Sequence, residues 1–112
     1  MPDTNPLFDS IRHEIRNNDI VLFMKGSPSA PMCGFSATVC SILKNLKVGF
    51  KGIDILKDQE LRNAVKSFSD WPTLPQLYIK GEFIGGCDIA REMYENGELQ
   101  ALLTAKNIQP HA

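Results

Sequence analysis

The chain has 112 residues, of which 43% are hydrophobic and 22% are charged, and these proportions exclude a disordered or fibrous protein. Twelve basic and thirteen acidic side chains give a formal charge of -1, which offers no extended positive surface to nucleic acids or anionic membranes. The longest apolar run, residues 20–24, is far shorter than the roughly 20 residues that span a bilayer. We therefore expect one domain over residues 1–112, with its core over about 9–105. We expect it to be cytoplasmic and to bind neither nucleic acid nor membrane.

The first half of the sequence predicts a helix, a strand, a helix and a second strand. Asn5 stands before a proline as a helix cap does, and the apolar run 20–24 suits a strand covered on both faces. Residues 26–31, rich in serine and proline, predict a loop. The loop leads to Cys33, which opens a helix, and the apolar residues of 50–55 predict the next strand. This order predicts a parallel, right-handed crossover.

The second half predicts a helix, a hairpin and further helices. Asp58 can cap the next helix, which ends before the proline-bracketed turn 71–75. A hairpin then closes at Gly81, and Asp88 stands where the cap of the following helix is expected. The tail beyond Lys106 is expected to be loose. Together the elements predict an α/β fold with a mixed four-stranded sheet flanked by helices.

Cys33 is the strongest candidate for a reactive thiol. The three cysteines are an odd number without zinc-site spacing, so each must be judged by its surroundings. At the start of a helix, free backbone amides and the helix dipole favour the thiolate, and Lys25 can add a positive charge. The sequence therefore predicts a lowered pKa for Cys33. A buried structural cysteine is the alternative reading.

Three separated motifs reveal a family resemblance. Cys-Gly-Phe-Ser at 33–36 follows Lys-Gly-Ser-Pro at 25–28, Trp-Pro-Thr-Leu-Pro-Gln occupies 71–76, and Gly-Gly-Cys-Asp occupies 85–88. Over residues 9–103 the chain resembles the monothiol glutaredoxins with a Cys-Gly-Phe-Ser active site. The resemblance implies a thioredoxin-like fold. The long loop before Cys-Gly-Phe-Ser is also the version typical of these members.

The resemblance implies that Cys33 is the redox and cluster-binding thiol. Ser36 stands where dithiol relatives have a second cysteine, and a serine cannot resolve a mixed disulfide. A 2Fe-2S cluster usually has four thiolate ligands, so the one Cys33 of each chain leaves three ligands to be supplied. In the family, two chains and two glutathiones share the cluster. A homodimer bridged by a 2Fe-2S cluster is therefore the implied state, with glutathione as the second cofactor.

The resemblance also implies a glutathione site. In the family, cations hold the glycine carboxylate, which an arginine can grip with its planar fork. The backbone before a cis proline pairs with the ligand like a strand, and the amides that open a helix hold the glutamyl carboxylate. Taken singly, each residue also suits an ordinary surface charge, cap or turn. The residues are Lys25 and Arg62 for the glycine end, Leu74 for the backbone pairing, and Cys87 and Asp88 for the glutamyl end.

Three functions remain open at this level. The first is a carrier that passes the cluster to apo iron-sulfur proteins, and the second is an enzyme that removes glutathione from protein thiols. The third is a module that pairs with a BolA-like protein. A disulfide between Cys33 and Cys87 is likewise open. Cys40 is predicted to fill the core, Trp71 is left without a role, and neither histidine has metal-site spacing.

Overall fold

The fold is organised around a mixed sheet, in a computed structural model that describes residues 5–111. The elements are α1 (Pro6–Asn17), β1 (Ile20–Met24), β2 (Gly26–Ser27), β3 (Ala30–Pro31), α2 (Gly34–Asn45), β4 (Lys51–Asp54), α3 (Gln59–Ser69), β5 (Gln76–Ile79), β6 (Glu82–Gly85), α4 (Cys87–Glu95) and α5 (Glu98–Ala105). The four-stranded sheet has the order β4-β1-β5-β6. β1 is parallel to β4 and antiparallel to β5, and β5 is antiparallel to β6. The predicted mixed sheet is thus confirmed.

β1 divides the interior into two cores, as its unbroken apolar sequence predicts. Successive strand residues point to opposite faces, so Val21 and Phe23 pack with α1 and α3, and Leu22 and Met24 pack with α2, α4 and α5. All five residues of the strand are buried. Because helices cover both faces, the sheet is the middle layer of a three-layer sandwich. Across residues 5–111, none of the helices has the length and apolar character needed to cross a bilayer.

Two of the three predicted helix caps are present. Asn5 Oδ1 accepts a hydrogen bond of 2.9 Å from the Leu7 amide, and Asp58 caps α3 through two amides. Each such cap contributes about 1 kcal/mol. The cap predicted at Asp88 is wrong, because α4 already begins at Cys87 after the extended Gly86. Asp88 lies in the first turn, where its carboxylate is 3.1 Å from the Arg91 guanidinium.

The predicted loop at 26–31 contains a small hairpin. β2 and β3 pair antiparallel within it, and the Met32 amide closes it by donating to the Lys25 carbonyl at 2.9 Å. Two hydrogen bonds fasten the hairpin to the rest of the domain: the Gly26 amide donates to Asp54 Oδ1 at 3.1 Å, and Lys44 Nζ donates to the Pro28 carbonyl at 2.8 Å. The segment that delivers the chain to Cys33 is therefore held in place.

The expectation of a loose tail beyond Lys106 is wrong over the described residues. Ile108 is buried among the side chains packed by α2, α4 and α5. Its amide donates to Leu103 O at 2.9 Å, and the His111 amide donates to Lys47 O at 2.7 Å. An apolar side chain and two backbone hydrogen bonds therefore dock this segment on the domain.

We predict that Gly52→Ala destabilises the domain, whereas Gly49→Ala does not. A Cβ at Gly52 would overlap Cγ of Pro28 and lie 2.8 Å from its Cδ, while a Cβ at Gly49 meets nothing within 4 Å. Such overpacking costs about 1–3 kcal/mol. Urea unfolding of both variants measures the difference. Equal unfolding midpoints would contradict close packing of the hairpin on β4.

Candidate active site

Cys33 lies where the hairpin meets α2. It is the N-cap residue of that helix, with extended backbone and a partly exposed side chain. The backbone amide of Ser36 is the main cause that lowers the pKa of the Cys33 thiol, and partial burial opposes it. The Phe35 amide, the Lys25 charge and the Ser36 hydroxyl lower this pKa further. The lowered pKa agrees with the sequence-based prediction, and the thiolate is the nucleophilic and metal-binding form.

Ser36 connects the thiol to the central strand. Its side chain is fully buried, and its Oγ accepts a hydrogen bond of 3.1 Å from the Lys25 amide, just beyond β1. The hydroxyl hydrogen remains available to the Cys33 sulfur, which it helps to stabilise as a thiolate. Ser36 therefore both joins α2 to the end of β1 and stabilises the Cys33 thiolate, although it cannot form a disulfide.

The other two cysteines are buried. Cys40 packs in the core with its Sγ 3.7 Å from Met24 Sδ, and burial raises its pKa. Burial also raises the pKa of the Cys87 thiol, against the opposing charge of Arg91, and a charged Cys33 adds to the increase. All three thiols are free. Cys40 therefore has the predicted packing role, and Cys87 lies within electrostatic reach of Cys33.

A cavity of about 230 Å³ opens between the start of α2, the loop before β5 and the start of α4. Of the residues predicted for the glutathione site, it brings together Leu74, Cys87 and Asp88. Neither Lys25 nor Arg62 lines the cavity, although the charge of Lys25 acts on Cys33. The lining residues are Phe35, Trp71, Thr73, Leu74, Pro75, Gly86, Cys87, Asp88 and Ile89.

The loop before β5 lines this cavity and carries two hydrogen-bond donors without a partner within residues 5–111. The Leu74–Pro75 peptide bond is cis, as the resemblance implied, and the Leu74 amide has no hydrogen-bond partner among the described residues. The indole Nε1 of Trp71 is also buried without a partner, and its ring contacts Phe83 at 5.7 Å between centroids. Buried donors are normally satisfied, so the unpaired indole N–H is unusual, and the Leu74 amide is left free to pair with a ligand.

Arg62 provides a third unpaired donor on α3. Its Nε is buried and has no partner among residues 5–111. A guanidinium carries a fixed positive charge and can bind a carboxylate through two parallel hydrogen bonds. Arg62 can therefore hold an anion, although it stands apart from the cavity wall.

Two cavity residues had no role from sequence reasoning. Phe35 is 60% exposed at the cavity, and Trp71 forms part of its wall. A large apolar side chain exposed beside a reactive cysteine would have been the signal, but exposure cannot be read from spacing alone. Within the described part of the chain, no group of three or more His, Cys, Asp or Glu side chains is placed to hold a metal ion.

We predict that Lys25→Gln moves the pH dependence of Cys33 alkylation to higher pH. The thiolate is the reacting form, so the rate rises as pH increases through the Cys33 pKa, which the Lys25 charge lowers. The Lys57→Gln control removes an equal charge from an exposed loop. Iodoacetamide kinetics with mass-spectrometric assignment of the labelled cysteine provide the measurement. An unchanged profile would remove Lys25 from the electrostatics of this thiol.

Comparison with known proteins supports the resemblance to monothiol glutaredoxins. The sequence model of the glutaredoxin family matches residues 20–84. Probable monothiol glutaredoxin 2 of Rickettsia conorii is 58% identical over 101 residues, which are 90% of this chain and 94% of that protein. Among solved structures, a monomeric truncated mutant of Trypanosoma brucei 1-C-Grx1 is 40% identical with a TM-score of 0.85, and the coverage is 94% of this chain and 96% of that one.

A further solved structure agrees with these. Reduced apo GrxS14 from poplar is 47% identical with a TM-score of 0.81, covering 94% of this chain and 96% of that one. The structural similarities confirm the thioredoxin fold. The family match covers more than half of the chain, and the curated relative matches over nearly its full length. The chain therefore belongs to the glutaredoxin family, among its monothiol members.

Proposed function

We propose that this chain binds glutathione and, together with it, holds a 2Fe-2S cluster that it carries to apo iron-sulfur proteins. The main support is the partly exposed, low-pKa thiol of Cys33, which has a buried serine rather than a second thiol at position 36. Such a thiol is prepared to ligate iron, because thiolates are the usual cluster ligands.

The number of thiolates requires help from outside the chain. Cys40 and Cys87 are buried with raised pKa values, which leaves Cys33 as the accessible thiolate among the described residues. A cluster with four thiolate ligands then needs three more. Two copies of the chain and two glutathione molecules supply the set. Because half the ligands are exchangeable, this arrangement suits transfer of the cluster.

The cavity has suitable groups for glutathione. The free Leu74 amide can pair with the peptide backbone of the ligand, and the amides at the start of α4 can bind a carboxylate. The Asp88 carboxylate in that turn can receive an ammonium group, although it now pairs with Arg91. Arg62 and Lys25 supply cations for the other end of the tripeptide.

A second candidate is glutathione-dependent reduction of protein mixed disulfides. The lowered pKa of Cys33 favours it, because a thiolate at this position can attack a glutathionylated protein. Ser36 prevents an internal disulfide with Cys33 at the neighbouring helix position, so a second glutathione or a more distant cysteine must complete the cycle. Pairing with a BolA-like protein is compatible with the apolar surface near Cys33, where Met32 is 71% exposed and Phe35 60%.

We predict that anaerobic reconstitution with iron and sulfide gives a coloured dimer only when glutathione is present. Cys33→Ser should abolish the visible absorption because a cluster ligand is lost, while its circular dichroism stays native. The Cys40→Ala control, in the core, should keep the cluster. Visible absorption and native mass spectrometry provide the measurements. A normal cluster on Cys33→Ser, or none on the native chain with glutathione, would refute the proposal.

We also predict that Arg62→Ala weakens glutathione binding about tenfold to a hundredfold, the loss expected for a charge-assisted hydrogen bond. Arg16→Ala provides a matched control on the exposed side of α1. Titration of the reduced chain with glutathione, followed by NMR, measures both affinities. Native affinity in Arg62→Ala would exclude Arg62 from the site.

A further inference from the structure

Gln76 is a fully buried polar residue beneath the wall of the cavity. It begins β5, pairs with Phe23 of β1, and is 0% exposed. Its carboxamide Nε2 donates to two carbonyls of the preceding loop, Trp71 O at 3.1 Å and Thr73 O at 3.2 Å. A buried amide without partners would be costly, so these two hydrogen bonds fix where the side chain can lie.

The nitrogen of the Gln76 carboxamide is hydrogen-bonded to the loop, whereas its oxygen is unpaired in the described chain. Its Oε1 is buried and has no hydrogen-bond partner within residues 5–111. Both of its N–H groups donate to loop carbonyls that accept no hydrogen bond from a helix or strand of the described structure. The side chain therefore fastens the loop 70–75 to the start of β5 from below.

The hydrogen bond to Thr73 determines the direction of the next amide. A trans peptide is planar, so a carbonyl and the following N–H point in opposite directions. The bond between Thr73 and Leu74 is trans, since Leu74–Pro75 is the cis bond found in the described chain. With the Thr73 carbonyl drawn toward the buried Gln76, the Leu74 N–H must point away from it, where it has no partner in the described structure.

We infer that Gln76 is a positioning residue for the ligand, because it holds the loop so that the Leu74 amide is presented to an extended peptide backbone. Gln76 is not part of the cavity lining, so it acts through Leu74 and not by direct contact. This inference rests on the proposed binding of glutathione. It adds a specific carboxamide-to-loop contact to that proposal.

The test compares Gln76→Met with the native chain. Methionine has a similar size and no donor, so it removes both hydrogen bonds without leaving a large cavity. The matched control is Gln100→Met on α5, which also removes an amide-to-carbonyl hydrogen bond, to Tyr94 O, outside the cavity. Reduced, full-length protein is titrated with glutathione and followed by NMR, well below each melting temperature.

We expect Gln76→Met to lose about tenfold or more in glutathione affinity, the order of loss known for the hydrogen-bonded partners of metal ligands, and Gln100→Met to bind like the native chain. At a given glutathione concentration, the Leu74 amide resonance should move less in Gln76→Met than in the native chain. The pKa of Cys33 should stay unchanged, because its stabilising groups lie on α2 and at Lys25. A merely structural role would lower the melting temperature and leave the affinity of the folded protein intact.

The remaining outcomes separate this inference from the proposed function. Native affinity in a folded Gln76→Met variant would overturn the role of Gln76 and leave glutathione binding standing. A native chain that binds no glutathione would overturn both. If Gln76→Met does not fold, Gln76→Asn replaces it, since its amide is one methylene shorter and cannot reach both carbonyls. Native affinity in folded Gln76→Asn would then overturn the inference.

Discussion

The hydrogen bond from the Lys25 amide to the Ser36 hydroxyl joins the end of β1 to the first turn of α2. β1 is buried on both faces and cannot shift without disturbing two cores. The first turn of α2 is therefore held in a fixed place, and its amides are directed at the Cys33 sulfur. The reactivity of the thiol depends on the rigidity of the strand.

This arrangement explains how a serine can be useful where a second cysteine would give faster disulfide chemistry. A hydroxyl is a better hydrogen-bond acceptor than a thiol, so Ser36 secures the strand-to-helix contact more firmly. It also donates toward Cys33 and favours the thiolate. The Cys33 thiol then has no partner for oxidation at position 36 and can react with an external thiol.

Local signals were sufficient for much of the fold and for the thiol. The caps at Asn5 and Asp58 and the doubly covered β1 depend on neighbouring residues in sequence, and the structure has them all. The cap expected at Asp88 was misplaced because the preceding glycines let the helix begin two residues earlier, with Gly86 as its cap. Packing of Ile108 could not be predicted, because the core it enters is built from distant segments.

In the candidate site, too, local sequence signals predict one part, and contacts between distant segments form the rest. Cys33 could be identified from its position before a helix, but the cavity requires that the loop at 71–75 and the start of α4 meet, which no periodicity reveals. The unpaired indole of Trp71 and the hydrogen bonds from Gln76 to the loop depend on which buried atoms find partners among the described residues, and sequence spacing does not reveal this.

The thiol and the cavity are supported by separate parts of the fold. Hydrogen bonds at the start of α2 lower the pKa of Cys33, whereas the loop before β5 lines the cavity. Gln76 fastens that loop, and it lies on the neighbouring strand to β1. Changes in the loop can therefore alter ligand affinity while the thiolate is preserved. For the proposed carrier, independent control of these two properties would be an advantage, because ligand affinity can be weakened while the Cys33 thiolate is kept.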